Sequence, residues 1–132
     1  MNRILIRLAA GALAATLVGS MAVSQPIPEI VVLGTRTVKT HLEKDALTPT
    51  PLYKTLSLSY SLSIADLDLK TSDGAAALEK RVNDAAIAVC AEIGRQYPES
   101  GPDDATCAKL AAKKAMVKAR ALITAAQSKP AQ

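Results

Sequence analysis

The chain has 132 residues and a formal net charge of +4, and only 2% of its residues are aromatic, with neither Trp nor Phe. This length allows one small domain, whose core must be built from Leu, Ile, Val and Ala, and it excludes a multidomain architecture. One histidine and two cysteines are also too few for a zinc-ligand cluster if the cysteines pair with each other.

The first 24 residues are typical of a secretory signal peptide. Two arginines give a basic start, residues 8–18 form an apolar run, and small residues such as Ala22 and Ser24 follow. The apolar run is shorter than the roughly 20 residues that a membrane-spanning helix needs. We therefore predict cleavage after Ala22 or Ser24, and a periplasmic or secreted location for the mature chain.

Residues 25–54 form a proline-containing lead-in with one short β-like segment, Glu29–Arg36. This segment resembles the Glu-Ile-Val-Val-Thr-Gly stretch near the mature N-terminus of TonB-dependent outer-membrane receptors, with Leu33 where Thr is usual. Such a segment can add as a strand to the sheet of an envelope partner protein, or it can pair with the next strand of its own chain. The sequence leaves both alternatives open. The Thr-Pro-Thr-Pro stretch at 48–51 is typical of a linker.

The next element shows a strict alternation. Between Leu56 and Ile64, apolar residues occupy every second position and serines fill the positions between them. This pattern predicts a half-buried strand over 56–64 with a serine face in contact with solvent. The unpaired edge of such a strand could be covered by a second copy of the chain in a homodimer.

The period changes at Thr71–Gly74, where side-chain oxygens can cap the first turn of a helix. Apolar residues then recur at helical spacing, which predicts a helix over 73–93 that is ended by Gly94 and Pro98. The apolar stripe of this helix consists of Leu78, Val82, Ala85, Ala86, Val89 and Ile93.

A second helix is predicted over 105–126, mainly from the helix propensity of Ala and Lys. Residues 128–132 form a tail after this helix. Its weaker stripe is predicted to contain Cys107, Leu110, Ala111, Ala121, Leu122 and Ala125. After Asp104 the chain has six basic residues and no acidic one. A basic helix can meet an anionic membrane surface or another polyanion, or it can pack against the acidic half of its own chain. No aromatic residue lies between the lysines, which argues against a nucleic-acid partner.

The two cysteines lie at adjoining ends of the predicted helices, Cys90 near the end of the first and Cys107 near the start of the second. A short connection makes two helices antiparallel and brings these ends together. In an exported protein this predicts an intramolecular disulfide worth about 3 kcal/mol in loop closure. A redox-active pair is the alternative, but such pairs usually have Cys-x-x-Cys spacing at a helix start.

These motifs follow one another as in the UrcA family of small exported bacterial proteins, which the chain resembles over residues 58–121. The resemblance is carried by Ile64-Ala65-Asp66-Leu67-Asp68-Leu69, then Thr71, Gly74, Ala77-Leu78, Arg81-Val82, Ala85-Ala86 and Val89-Cys90, and by a second cysteine that opens an alanine-rich helix. Ile64 stands where the family usually has Tyr. The family has no established biochemical activity, so the resemblance implies no catalytic residue.

No pattern in the sequence predicts catalysis or a cofactor. A Gly-x-Ser-x-Gly elbow, a phosphate loop and a dinucleotide-binding motif are all absent, and the single histidine, His41, lies in the lead-in. Asp66 and Asp68 would share one face of a strand, where two carboxylates can meet a hard cation. The simpler interpretation is that they solvate the strand edge and ease the turn into the helix, so we assign no metal site.

The sequence therefore predicts an α+β fold, with one or two N-terminal strands followed by a disulfide-tied antiparallel helical hairpin, in a domain over residues 55–127. It predicts an exported, non-enzymatic accessory or stress-related protein of the bacterial envelope that acts by binding. The alternative is an envelope interaction module that docks through residues 29–36 or through the basic second helix.

Overall fold

The computed structural model of the protein describes residues 28–40 and 52–130. Two strands are followed by two helices: β1 (Glu29–Thr40), β2 (Leu52–Ser63), α1 (Ser72–Gln96) and α2 (Asp104–Ser128). The α+β fold with a helical hairpin is confirmed. The predicted signal peptide at 1–24, His41 and the predicted linker at 48–51 lie outside the described residues.

β1 and β2 form a two-stranded antiparallel sheet, in register from the Glu29–Ser63 pair to the Thr40–Leu52 pair. The segment Glu29–Arg36 therefore pairs with its own chain. Both strands are longer than predicted, because residues assigned to the lead-in join them. Thr and Val at positions 35–38 have high strand propensity, and pairing satisfies their main-chain groups.

One face of the sheet is buried against the helices and the other faces solvent. The buried positions of β1 alternate and are Ile30, Val32, Gly34 and Arg36. Gly34 allows β1 to lie directly on α1, because a Cβ at this position would be 2.9 Å from Cγ1 of Val89. The core of the domain therefore lies between β1 and the two helices.

β2 is covered less completely than β1. Its serines at 57, 59, 61 and 63 are exposed, which confirms the predicted serine face. On the opposite face Leu58 and Leu62 are only half-buried, and Tyr60 is 46% exposed. α1 packs under both strands, whereas α2 packs under β1, so the helical layer ends beneath β2. This explains why the apolar alternation of β2 does not produce a fully buried face.

The turn between β2 and α1 contains the two aspartates. Because β2 ends at Ser63, Asp66 and Asp68 do not share a strand face, and that prediction is wrong. The Asp66 carboxylate instead accepts two hydrogen bonds from Arg81, at 2.5 and 2.8 Å. These bonds lower the pKa of Asp66 to about 2. The main-chain oxygen of Asp68 accepts a 2.8 Å bond from the Thr71 hydroxyl, so this residue does ease the turn into the helix.

α1 begins as predicted and continues past its predicted end. The Thr71 hydroxyl accepts a 3.0 Å hydrogen bond from the N–H of Gly74 and caps the helix. Every residue of the predicted apolar stripe is buried, together with Cys90. The helix does not end at Gly94 but reaches Gln96. Gly94 serves close packing instead, because a Cβ there would lie 2.6 Å from the guanidinium of Arg36.

α2 is capped by Asp103, whose carboxylate accepts a 2.9 Å hydrogen bond from the N–H of Thr106. This bond lowers the pKa of the Asp103 carboxyl group. The predicted stripe is wrong at three positions, since Leu110 is 50% exposed and the alanines at 121 and 125 are also exposed. The buried residues follow a spacing of four and are Cys107, Ala111, Ala115 and Ala119. Small side chains allow α2 to approach α1 and β1 closely, so they form the packed face.

Candidate binding surface on the second helix

A disulfide fixes the start of α2 against α1. Cys90 and Cys107 are bonded, with their Cα atoms 5.8 Å apart, which confirms the predicted pair. The two residues are 0% and 1% exposed. Thiol–disulfide exchange needs access for an attacking thiolate, which this burial denies in the folded protein. The arrangement favours a structural bond over a redox-active one.

Arg36 is a second anchor, and sequence reasoning missed it. This residue is only 4% exposed, and its guanidinium donates to the Asp104 carboxylate and to the main-chain oxygens of Ser100 (2.8 Å) and Cys90 (3.4 Å). One side chain of β1 thereby holds the end of α1, the connecting loop and the first turn of α2. The period-two alternation places Arg36 on the same face as Val32, so the strand pattern contained a signal for its burial.

The loop between the helices is also joined to the sheet through the main chain. The N–H of Thr37 donates to the oxygen of Gly101 at 2.6 Å, and the N–H of Gly101 donates to the oxygen of Thr37 at 2.8 Å. The start of α2 is therefore held by a covalent bond, an ion pair and a short strand-like bridge. These contacts fix which face of α2 points away from the domain.

The outward face of α2 combines apolar and basic side chains. Leu110 is 50% exposed and Val117 is 72% exposed. A spacing of seven residues is two helical turns, so these two side chains lie in one line along the helix. The lysines at 113, 114 and 118 are exposed on either side of that line. We call the face formed by Leu110, Lys113, Lys114, Val117 and Lys118 the basic ridge.

The basic ridge is not neutralised by the acidic residues of the domain. Of the basic side chains of α2, Arg120 has an acidic neighbour in the described structure, with its Nε 3.4 Å from Oε1 of Glu79. The lysines at 109, 113, 114 and 118 have no ion pair within 4.0 Å anywhere in residues 28–40 and 52–130. The helix packs against its own domain through alanines, and its lysines face solvent.

A shallow groove of about 600 Å³ runs beside the ridge, between α1 and α2. Met116 and Val117 contribute apolar surface to it, Lys109 and Lys113 provide positive charge, and Arg120 is paired there with Glu79. The groove extends the same combination of apolar and cationic groups from the outer face toward α1. Chemically, this surface suits a ligand that is anionic and partly apolar.

Among the described residues, no group of three or more His, Cys, Asp or Glu side chains could hold a metal ion. None of the described helices is long and apolar enough to cross a membrane.

No family model matches the chain, and no curated protein or solved structure matches it either. The resemblance to the UrcA family therefore stays a prediction from the sequence motifs. The functional interpretation rests on the geometry of α2 and on the residues themselves.

Proposed function

We propose that this protein is an exported, non-enzymatic binding protein of the bacterial envelope, and that the basic ridge docks it on an anionic membrane surface. The main support for membrane docking is the composition of the exposed face of α2. On α2, the exposed apolar residues Leu110 and Val117 lie between lysines, and no acidic residue follows Asp104.

Both components of the ridge contribute to membrane binding. A Lys or Arg near an anionic bilayer surface contributes about 1 kcal/mol of attraction. Exposed apolar side chains on the same face can enter the boundary between headgroups and acyl chains, while lysine stems extend to keep their charge in water. Val117, at 72% exposure, is placed to enter this boundary first.

The exported location is supported by two independent features. Residues 1–24 have the pattern of a secretory signal peptide. The buried Cys90–Cys107 bond is of the kind that persists in oxidising compartments such as the periplasm. The resemblance to the UrcA family supports an exported bacterial protein and carries over no catalytic residue.

Docking of Glu29–Arg36 on an envelope partner protein is the other binding mode, and it has less support. This segment pairs with β2 along its whole length, and its inward side chains are buried. A partner would reach only its outer edge, and the adjoining residue Thr37 is already bridged to Gly101.

The test is binding of the purified protein to vesicles that contain phosphatidylglycerol, compared with vesicles of phosphatidylcholine alone. We expect binding to the anionic vesicles and its loss at high salt, because exposed charges are screened over about 8–10 Å at ordinary ionic strength. Replacing Lys113, Lys114 and Lys118 by Gln should weaken binding about 100-fold, at about 1 kcal/mol for each lysine.

A matched control separates the ridge from net charge. Gln at Lys39, Lys70 and Lys80, which are exposed outside α2, removes the same charge and should leave most of the binding intact. Equal losses in the two triple variants would reject the ridge as the docking surface.

A further variant separates a membrane from a soluble polyanion. Ser at both Leu110 and Val117 keeps every lysine but removes the apolar side chains that would enter the bilayer. We expect weaker vesicle binding with unchanged retention on heparin. Unchanged vesicle binding would mean that the ridge recognises charge alone and would overturn the membrane assignment.

A further inference from the structure

We propose that the protein forms a homodimer in which the β2 strands of two copies pair antiparallel, so that two two-stranded sheets become one four-stranded sheet. This dimer would form in solution without any membrane, and it involves a different surface from the basic ridge.

Among the described residues, the outward main-chain groups of β2 have no partner from Tyr53 to Ser61, whereas the oxygen of Ser63 accepts a 3.3 Å hydrogen bond from Arg81. Both main-chain groups of Thr37 bond to Gly101, so the odd-numbered residues of β1 point their N–H and C=O away from β2. The even-numbered residues of β1 therefore bond to their partners on β2, for example Gly34 to Leu58. It follows that the odd-numbered residues of β2 direct their main-chain groups to the outer edge. In the described parts of the chain, no strand or bridge pairs with this edge.

The sequence of β2 does not protect this edge. Natural sheets block their edges with charged residues, proline or a bulge. Residues 55–63 contain no charged residue and no proline, and their pairing with β1 is in continuous register. The outer edge of β1 is bridged to Gly101 at Thr37, whereas the outer edge of β2 has no such bridge in the described residues.

The inward face of β2 also lacks cover at this edge. Tyr60 points toward the helical layer but is 46% exposed. A cleft of about 170 Å³ opens between β2 and the end of α1, and its lining includes Leu56, Leu58 and Ile93. A strand added at this edge would extend the sheet over these apolar side chains.

A second copy fits this edge in a symmetric register. Antiparallel pairing of two identical strands in one sheet places a two-fold axis perpendicular to the sheet, which is the isologous arrangement of most dimers. With the axis at Leu58, Ser57 lies opposite Ser59 of the second copy, and Leu56 lies opposite Tyr60. Serines then lie opposite each other on the solvent-facing side of the sheet, and apolar residues lie opposite each other on the side that faces the helices. Residues 53–63 would exchange about ten main-chain hydrogen bonds, because the oxygen of Ser63 already accepts from Arg81.

The charges at the two ends of the strand are complementary in this register. Lys54 lies near the start of β2, and Asp68 follows its end, while Asp66 is already paired with Arg81. Antiparallel pairing brings the basic end of each strand toward Asp68 of the second copy. A parallel arrangement would instead place like charges together.

Sedimentation of the full-length protein in the absence of lipid tests the dimer. We expect a dimeric mass for the wild type. In the variant S57K/S59K, the lysine introduced at position 57 of each copy would lie opposite the lysine introduced at position 59 of the other. Directly opposed like charges destabilise strand pairs, so we expect the dimer dissociation constant to rise about tenfold or more. The control V31K/L33K adds the same charge to exposed positions of β1 and should remain dimeric.

A charge-swapped variant tests the register itself. In S57K/S59E each lysine would face a glutamate of the second copy, so dimerisation should return while the local sequence remains heavily altered. Circular dichroism melting would establish that all the variants are folded. A monomeric wild type, a dimer that survives in S57K/S59K, or a monomeric S57K/S59E would each overturn the proposal. The comparison of the ridge variant with its matched control does not depend on any of these outcomes, because both variants keep the same β2 edge.

Discussion

Arg36 joins three parts of the molecule through one side chain. Its guanidinium reaches the Asp104 carboxylate and the main-chain oxygens of Ser100 and Cys90, and it is almost completely buried. A buried charge is tolerated when it is paired and hydrogen-bonded, as this one is. Its removal would leave the main-chain oxygen of Ser100 without this donor, and Ser100 is itself buried.

We expect Arg36→Met to lower the free energy of unfolding by about 2–4 kcal/mol, because a buried acceptor loses its donor and Asp104 loses its cation. The control is Arg95→Met. Arg95 also pairs with a carboxylate, that of Glu92, but its side chain is 74% exposed, and the change should cost about 0.5 kcal/mol or less. Urea unfolding of both variants gives the comparison, and equal losses would contradict the anchoring role of Arg36.

The Asp66–Arg81 pair predicts a dependence of stability on pH. Hydrogen bonds from Arg81 lower the pKa of Asp66 from 3.8 to about 2. A carboxyl group whose pKa is lowered on folding stabilises the fold above its unfolded pKa, and this contribution is lost as the pH falls through the folded pKa. The wild type should therefore melt slightly above Asp66→Asn at neutral pH, and the difference should vanish near pH 2. A difference that does not change with pH would contradict this assignment.

At the scale of elements, α2 packs through small residues, and its larger ones face outward. Ala119 is fully buried, so Ala119→Leu should force α2 away from the core and cost about 1–3 kcal/mol. Leu110→Ala should cost less than about 1 kcal/mol, because Leu110 is half exposed. Thermal unfolding of the two variants tests the orientation of the helix. The reverse order would mean that the leucine face is the packed one.

The disulfide makes the two helices one unit. Replacing Cys90 and Cys107 together by Ser should lower the free energy of unfolding by about 2–4 kcal/mol, because the unfolded chain loses a covalent loop. Because the two cysteines are bonded to each other, the folded wild type should show no thiol reactivity. Because both are buried, the bond should resist reductant until the protein is unfolded. Rapid reduction of the folded protein would contradict the structural role and favour the redox alternative.

At the scale of the whole molecule, the two proposed surfaces are connected. A two-fold axis perpendicular to the sheet places the helical layers of both copies on the same side, so two basic ridges would face the same surface. We expect the dimeric V31K/L33K to bind phosphatidylglycerol vesicles at least about tenfold more tightly than the monomeric S57K/S59K, although their charges are equal, because two linked sites bind with avidity. Equal binding would mean that the ridges cannot engage one membrane together.

Much of the fold could be read from the sequence because it follows local periodicities. The alternation over 56–64 and the stripe of α1 reflect the periods of strand and helix, which hold whatever packs against them. The caps at Thr71 and Asp103 satisfy amides within three residues, and the cysteine pair follows from the short connection between two helices. The basic character of α2 is likewise a property of composition, visible without coordinates.

Only the tertiary structure decided which surfaces meet. Arg36 is buried because an acidic helix start and two carbonyl oxygens converge on it from distant parts of the chain. Gly94 lies inside α1 instead of ending it, and the absence of a side chain at this position leaves room for Arg36 and Asp104. α2 buries alanines and exposes Leu110 and Val117 because close approach of three elements favours small side chains over more hydrophobic ones. Hydropathy along one chain contains no information about such distances between elements, so the composition of the ridge could not be predicted from the sequence alone.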